Sequence, residues 1–434
     1  MSMDFSVEPE LAELLDWVGA FIRDEVEPID LIWPAGDAPY DRELPVFDDV
    51  VRPLQLEVKE RGLWAWHLAP DLGGQGRGQV ELALLNEVLG RSQWAPVVFG
   101  TQAPDSGNAE ILAHHGTDEQ KERFLRPLLD GSTVSSFAMT EPQGGSDPTR
   151  FTCRAHREHD QWVINGEKWF VANFTHASFV IVMVVTNPDV SVYSGSTMLL
   201  VPKDTPGMEL VRPVGLFDDP AGEGAHGYLR FTDCRVPADY CLGEPGHGFE
   251  IAQTRVGRGR IHHAMRTVGE CGWALDAMLE WALSRTTRGR LLADKQAVQH
   301  MIADSWIQLN QFRLQVLHAA WAVDQKGARG ARTEVAGVKV ATPKVLADIS
   351  GRAMHLHGAL GVSNEMPFNR MVMRASILAV ADGPTEMHKT AIARSLLKEA
   401  EPSATDWPSV HLPDRIAAAR ERFAELLDRD QANL

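Results

Sequence analysis

Cysteine is scarce in this chain. Its 434 residues include four, Cys153, Cys234, Cys241 and Cys271. No two of them form a C-x-x-C pair, so neither a zinc knuckle nor a redox dithiol is expected, and their sparseness suits a reducing cytoplasm. Positive charge is also in deficit: 42 Lys and Arg stand against 59 Asp and Glu, for a formal charge of −17. A surface of that sign repels phosphate backbones and anionic lipid, so neither a nucleic-acid partner nor membrane binding is expected. Long hydrophobic runs are missing too. The longest, Phe179 to Val185, has the length of a strand and is far too short to insert across a bilayer. The acidic start, Met1 to Leu15, has no basic stretch leading into an apolar one. No signal or transit peptide is expected, and the reading is a soluble, cytoplasmic protein.

What remains is an ordinary globular composition, 44% apolar and 23% charged, with room for about three domains at ~150 residues each, or for two large ones. Residues 1–134 read as a helical domain. Leu11, Leu14, Leu15, Val18 and Ile22 recur at helical spacing, as do Leu82, Leu85, Val88 and Leu89, and Thr117 with Gln120 forms a capping box. Pro34 to Pro45 reads as a loop insertion. Residues 135–246 change to strands and turns and predict a β-barrel or sandwich. Asn165-Gly166, flanked by Gln161–Ile164 and Glu167–Phe170, predicts a two-residue hairpin. Helical periodicity returns over 247–400, with long segments at 260–286, 294–325 and 331–357 that predict a helical bundle. A tail, 401–434, ends in a short amphipathic helix.

Two stretches in the middle carry a denser signal: Phe137-Ala-Met-Thr-Glu-Pro-Gln-Gly-Gly-Ser146-Asp147, and Asn165-Gly-Glu-Lys-Trp-Phe-Val-Ala172-Asn173. Both resemble signatures of the acyl-CoA dehydrogenase family. The resemblance runs from about Leu63 to Arg394 and takes in Leu72-Gly-Gly-Gln-Gly, Asp118-Glu-Gln-Lys, Arg235-Val-Pro, Gly246-His-Gly-Phe and Arg285-Thr-Thr-Arg-Gly. The segments Gln102-Ala-Pro-Asp-Ser-Gly-Asn and Gly259-Arg-Ile-His-His-Ala-Met-Arg resemble the branch with an Asp-Gly-Pro base motif, which in animals is fused to a kinase-like domain. The implied fold is mainly α with a central β-barrel, in the order helical domain, β domain, four-helix bundle. The implied cofactor is FAD and the implied substrate an acyl-CoA. The implied electron acceptor is an electron-transfer flavoprotein, and the implied assembly a homodimer or homotetramer.

The resemblance also implies a site. Phe137, Met139 and Thr140 would lie along the flavin ring, and Phe170, Val171 and Ala172 against its other side. Gly145 and Ser146 would face pyrophosphate or thioester, since a glycine turn lets backbone N–H groups approach an anion. Relatives commonly have Trp where Phe170 stands and a hydroxyl residue where Ala172 stands, so a backbone N–H must serve there. Arg285, Arg288, Gln296, His355, Gly358 and Ala359 match positions that reach a neighbouring subunit's FAD, with Arg288 in place of a usual aromatic. An Arg fork suits pyrophosphate oxygens.

At Asp382-Gly383-Pro384-Thr385-Glu386, relatives most often place a Glu as the base that takes the α proton. Asp382 is the candidate here, with Pro384 and Glu386 beside the cofactor and Gly383 and Arg260 beside the substrate. Proton abstraction next to a thioester needs a positioned carboxylate in a dry pocket. Asp is shorter than Glu by roughly 1.5 Å, and ~1 Å of misplacement costs on the order of 100-fold in rate. Some relatives carry the base on a bundle helix at the position of Gly259, which cannot serve. Asp382 also reads as an N-cap for a helix over 385–398. His262 and His263, as neighbours on a helix, do not share a face, so no metal site is expected. The alternatives are a flavin oxidase on the same fold, similar to nitroalkane oxidases, and a non-catalytic thioester-binding protein.

Overall fold

The computed structural model describes residues 6–33, 38–66, 68–70, 74–217 and 219–432, the side chains of 256–258 and 429–432 excepted. The chain falls into two compact units, Met1–Lys389 and Thr390–Leu434. The second is small. Its helices Leu412–Arg422 and Ala424–Ala432 cover the expected amphipathic tail, and the described side chains there are exposed.

The first unit is mostly helical around one sheet. Its N-terminal part contains the helices α1 (Gln79–Leu89) and α2 (Asp105–His115) among shorter ones, and Thr117 and Gln120 make the expected capping box. Part of the Pro34–Pro45 stretch and of the Leu72 motif lies outside the described residues. The sheet holds β1 (Ser135–Ala138), β2 (Arg154–Glu158), β3 (Gln161–Val171), β4 (Phe179–Val185), β5 (Ser196–Pro202), β6 (Met208–Val214), β7 (His226–Pro237) and β8 (Cys241–Leu242). Pairing runs β6-β7-β3-β2-β4-β5-β8, with β1 parallel to β4. No pairing joins β6 to β8 among the described residues, so the hydrogen-bonded ladder is an open path.

The predicted hairpin at Asn165-Gly166 is not formed. β3 runs straight through it, and the turn falls instead at His159-Asp160, between Glu158 and its partner Gln161. Gly166 has another purpose. Its φ is +137°, a register shift lies beside it, and a Cβ there would stand 2.5 Å from the Cys153 Cα. The glycine marks a bulge where two backbones touch.

The bundle consists of α3 (Gly248–Ser284), α4 (Gln296–Gly330), α5 (Arg332–His357) and α6 (Phe368–Val380), followed by α7 (Thr385–Glu399). The face of α3 that enters the core reads Ile261, Ala264, Met265, Val268, Cys271, Ala274, Leu275 and Met278, all buried at three- and four-residue spacing. Where α3 crosses the α1 end, side chains are excluded. A Cβ on Gly269 would lie 1.9 Å from the Glu87 carbonyl oxygen, and one on Gly90 would lie 2.1 Å from that of Arg266. This backbone contact brings the polar side chains of α3 up to the N-terminal helices. Arg266 donates to Asn86 Oδ1 (2.7 Å) and to the Thr101 carbonyl (2.6 Å).

Candidate active site

Between α6 and α7 the chain reverses through two residues with positive φ, Asp382 (+54°) and Gly383 (+95°). Asp tolerates that region better than most residues, and Gly enters it freely. The reversal is held through the Asp382 carbonyl oxygen, which accepts from Arg260 Nη2 (2.9 Å) and lies 3.2 Å from His388 Nε2. The Asp382 carboxylate makes no hydrogen bond to any described residue, so the expected N-cap is not the use of this side chain here.

Asp382 borders a cavity of about 350 Å³. Tyr40, Thr101 and Gly107 line it from the N-terminal helical part, Ala172, Asn173 and His226 from the strand-rich part, and Arg255, Gly259, His262, His263 and Arg266 from α3. His262 and His263, neighbours on α3, both line this cavity. Among the described residues no group of three or more His, Cys, Asp and Glu gathers as a metal site.

Burial governs the charges around this cavity. It lowers the pKa of Arg255 and of Arg260, and Asp382 opposes it at both. Burial, with Arg266 nearby, pushes His263 down to about 4, so that imidazole is neutral at pH 7. Arg266 is pushed down to about 10 by burial and stays charged. Burial likewise lowers His388, and it lowers Lys339, whose Nζ donates to the Leu378 carbonyl.

The sequence-predicted residues fall into two groups. The first belongs to the two signature stretches and the Asp382 turn, from which Ala172 and Asp382 line the cavity. Ala172 lines it, and its carbonyl accepts from Ser136 Oγ at 2.8 Å. Phe137, Met139 and Thr140 are half-buried, and the Thr140 carbonyl accepts from the Trp169 N–H at 2.8 Å, which ties the two signature stretches side by side. Phe170 sits at a register shift with φ +53° and is 43% exposed, stacked on Trp169. Val171 points into the core, leaving its backbone to serve any ligand. Gly145 and Ser146 are exposed in the bend that follows the turn closed by the Glu141–Gly144 bridge. The two stretches joined at Thr140 and Trp169, with the exposed Phe170 ring, half-buried Phe137 and Met139 and the exposed Gly145-Ser146 backbone, offer the apolar surface and the N–H groups that a planar ring carrying a phosphate tail needs. Arg260, Gly383 and Pro384 stand half-buried around Asp382, and Glu386 is exposed.

The second group lies away from the cavity. Arg285, Arg288, Gln296, His355, Gly358 and Ala359 are all exposed. Arg285 and the 355–359 turn share one surface, because the Arg285 guanidinium lies 5.5 Å from the Trp281 ring and that ring stacks on His357. Arg288, with φ +50°, and Gly289 form the tip of the small hairpin Thr286–Leu291.

Sequence reasoning missed Arg255, Arg266, Tyr40, Asn173 and His226. For α3 a signal existed: Arg255, Gly259, His262, His263 and Arg266 repeat at helical spacing, a polar stripe on a helix otherwise bound for the core.

The family profiles for the acyl-CoA dehydrogenase N-terminal, middle and C-terminal domains match residues 8–132, 136–234 and 246–397. Acyl-CoA dehydrogenase family member 11 of Rattus norvegicus is 39% identical over 355 residues, which cover 81% of this chain and 45% of that protein. The chain therefore spans less than half the length of that relative. The probable acyl-CoA dehydrogenase FadE2 of Mycobacterium tuberculosis is 40% identical over 80% of this chain and 86% of its own length. A solved structure described as a putative acyl-CoA dehydrogenase from Mycobacterium abscessus superposes with a TM-score of 0.83 at 39% identity, covering 91% of this chain and 100% of that one. With its three parts matched in order, this chain belongs to the acyl-CoA dehydrogenase family, oxidoreductases that use FAD.

Proposed function

We propose that this chain removes hydrogens from the α and β carbons of an acyl-CoA thioester to give a 2-enoyl-CoA, with Asp382 as the base. One observation carries the reading: the Asp382 carboxylate borders the cavity unbonded to any described residue, while its carbonyl is held from two sides. The backbone is fixed and the acid is left to meet a substrate, as a proton acceptor requires. Arg260 and Gly383 position the turn. The thioester oxygen would be met by the Asp382 N–H as charge develops on it. Phe137, Met139, Thr140 and Phe170, with the backbone of Val171 and Ala172, would hold the flavin ring. Gly145, Ser146, Pro384 and Glu386 would complete that side. Arg285, Arg288, Gln296, His355, Gly358 and Ala359 would serve the FAD of a second subunit in a homodimer or homotetramer. FAD, when bound there, would supply the acceptor for the hydride that leaves carbon β. An electron-transfer flavoprotein would then take the electrons.

Anaerobic mixing of the holoenzyme with butyryl-, octanoyl- and palmitoyl-CoA tests the reading. Bleaching of the flavin by at least one of them is expected, and bleaching by nitroethane alone would turn the reading into a nitroalkane oxidase, for which an Asp base also speaks. Protein that takes up no FAD would point to a thioester-binding role.

Two further outcomes follow. Arg285→Ala should weaken FAD binding about tenfold, the worth of one charge-assisted contact, with the helical circular dichroism unchanged. An unchanged FAD affinity, read by flavin fluorescence, would remove Arg285 from the site. Gly259 lines the same cavity, and a Cβ there meets nothing within 4 Å. Adding Gly259→Glu to Asp382→Asn should therefore return a carboxylate to the cavity and recover at least about tenfold of the lost rate. No recovery would mean that a carboxylate from α3 does not reach the reacting carbon.

A further inference from the structure

We propose that Tyr40 sets the limit on acyl length: its ring closes the far end of the cavity, where the acyl tail stops. The proposal deepens the reading of an acyl-CoA substrate with Asp382 as base, and it rests on that reading. Two walls of the cavity, the stretch Thr101–Asn108 and helix α3, run side by side in opposite directions. At one end Arg255 Nε donates to Asn108 Oδ1 at 3.0 Å, and a Cβ on Gly107 would come within 2.8 Å of the Arg255 Cγ. The Arg255 guanidinium lies 4.3 Å from the centre of the Phe137 ring, so this end adjoins the stretch proposed to face the flavin. At the other end Arg266 Nη2 donates to the Thr101 carbonyl at 2.6 Å. Asp382 stands between the two ends, because the donor to its carbonyl is Arg260. With the flavin at the Phe137 end, the tail of a substrate whose α carbon meets Asp382 is left the Arg266 end. Arg266 is 6% exposed and Thr101 is 1% exposed, so that end is shut from solvent and offers CoA no way through.

Tyr40 belongs to neither wall. It ends the short 3-10 turn Ala38–Tyr40, within the proline-rich stretch read from sequence as a loop insertion, and it lines the cavity. Its phenol donates to the Ala103 carbonyl at 2.8 Å, next but one to Thr101, which puts the ring at the Arg266 end. The turn is fastened on both sides. Pro39 is buried, its carbonyl accepts from Arg42 Nη1 at 3.0 Å, and the Arg42 guanidinium lies 3.8 Å from the centre of the Phe47 ring. On the other side the Asp41 carboxylate lies 3.9 Å from His176 Nδ1, in the β3–β4 loop that also brings Asn173 to the cavity. The ring is thus strapped across the end of the space and not left to swing. Between Arg260 and Arg266, α3 advances about 9 Å at ~1.5 Å per residue. An extended chain advances ~1.2 Å per bond, so roughly seven bonds fit between Asp382 and the ring, the length of an octanoyl group. The cavity volume of about 350 Å³ agrees, since it lies at the low end of the ~300–1,000 Å³ usual for small-molecule sites.

The test compares kcat/KM for butyryl-, octanoyl- and dodecanoyl-CoA, read by anaerobic flavin bleaching, in the parent holoenzyme and in Tyr40→Ala. The parent should act on the first two and discriminate against dodecanoyl-CoA. Removing the ring frees room for several methylenes, and a methylene that a pocket admits or refuses is worth at least about tenfold. The dodecanoyl-to-butyryl ratio should therefore rise at least about tenfold in Tyr40→Ala. Tyr40→Phe keeps the ring and loses the hydrogen bond to Ala103, and it should keep the parent's ratio whatever its absolute rate. A ratio that rises as much in Tyr40→Phe as in Tyr40→Ala would mean that the strap, and not the bulk of the ring, sets the limit, and overturns the proposal. If Tyr40→Ala fails to hold FAD, Tyr40→Leu leaves a smaller apolar side chain in place and must move the ratio in the same direction. A parental ratio in the truncated variant, with butyryl-CoA still bleaching the flavin, also overturns the proposal and leaves the Asp382 reading intact. A parent enzyme that none of the three thioesters bleaches would remove the reading on which it rests.

Discussion

Replacing Asp382 by Asn is expected to slow flavin bleaching by acyl-CoA about a thousandfold, within the range a positioned general base contributes. Asn is nearly isosteric and cannot take a proton. The contacts that hold the turn involve the residue 382 carbonyl, with Arg260 and His388, and not the side chain. The variant should therefore fold, bind FAD and bind acyl-CoA with nearly the parent affinity, so that the loss falls on the chemical step. Asp382→Glu is the informative companion. It adds one methylene to an acid whose backbone has φ +54°, a conformation that Asp tolerates better than longer residues. It should retain more rate than Asn and less than the parent. An Asn variant that bleaches at the parent rate would place the base elsewhere.

The second large effect concerns stability. Lys168 and Glu141 form an ion pair 2.8 Å long in which both side chains are fully buried. Glu141 also accepts from Gln143 Nε2 (2.6 Å), the Thr152 N–H (2.6 Å) and the Cys153 N–H (3.1 Å), and Lys168 Nζ also donates to the Met139 carbonyl (3.0 Å). The pair thus fastens the turn after Thr140 to β3, the two stretches proposed to face the flavin. Lys168→Met leaves a buried carboxylate without its counter-ion and should cost about 3–5 kcal/mol of unfolding free energy. The double variant Glu141→Gln/Lys168→Met removes both charges and should cost less than Lys168→Met alone, since an unpaired buried charge is the dominant penalty. Urea denaturation of the three proteins measures both. A loss below about 1 kcal/mol for Lys168→Met would show that the pair contributes far less than its burial implies.

Much of the architecture was legible because the elements are long and one-sided. The segments expected at 260–286, 294–325 and 331–357 are the helices 248–284, 296–330 and 332–357, since core residues at helical spacing leave little choice of structure. β4 was read from Phe179 to Val185 because its seven residues are apolar and all buried. Asn165-Gly166 misled because its dipeptide preference is local, whereas a close approach to Cys153 decides what the glycine is for. In the candidate site, Asp382 and Arg260 were named from motif position, and Arg260 donates to the Asp382 carbonyl. Arg255, on the cavity wall, was not, because the residues that fix its side chain, Gly107 and Asn108, stand nearly 150 positions earlier in the chain and only folding brings them beside it.

The most direct measurement is a crystal structure of the holoenzyme with a thioether analogue of acyl-CoA that binds without reacting. The account predicts a carboxylate oxygen of Asp382 about 3–3.5 Å from carbon α, on the opposite side of the acyl chain from the flavin. An acyl chain lying elsewhere, or an Asp382 side chain turned out of the cavity in the bound state, would contradict it.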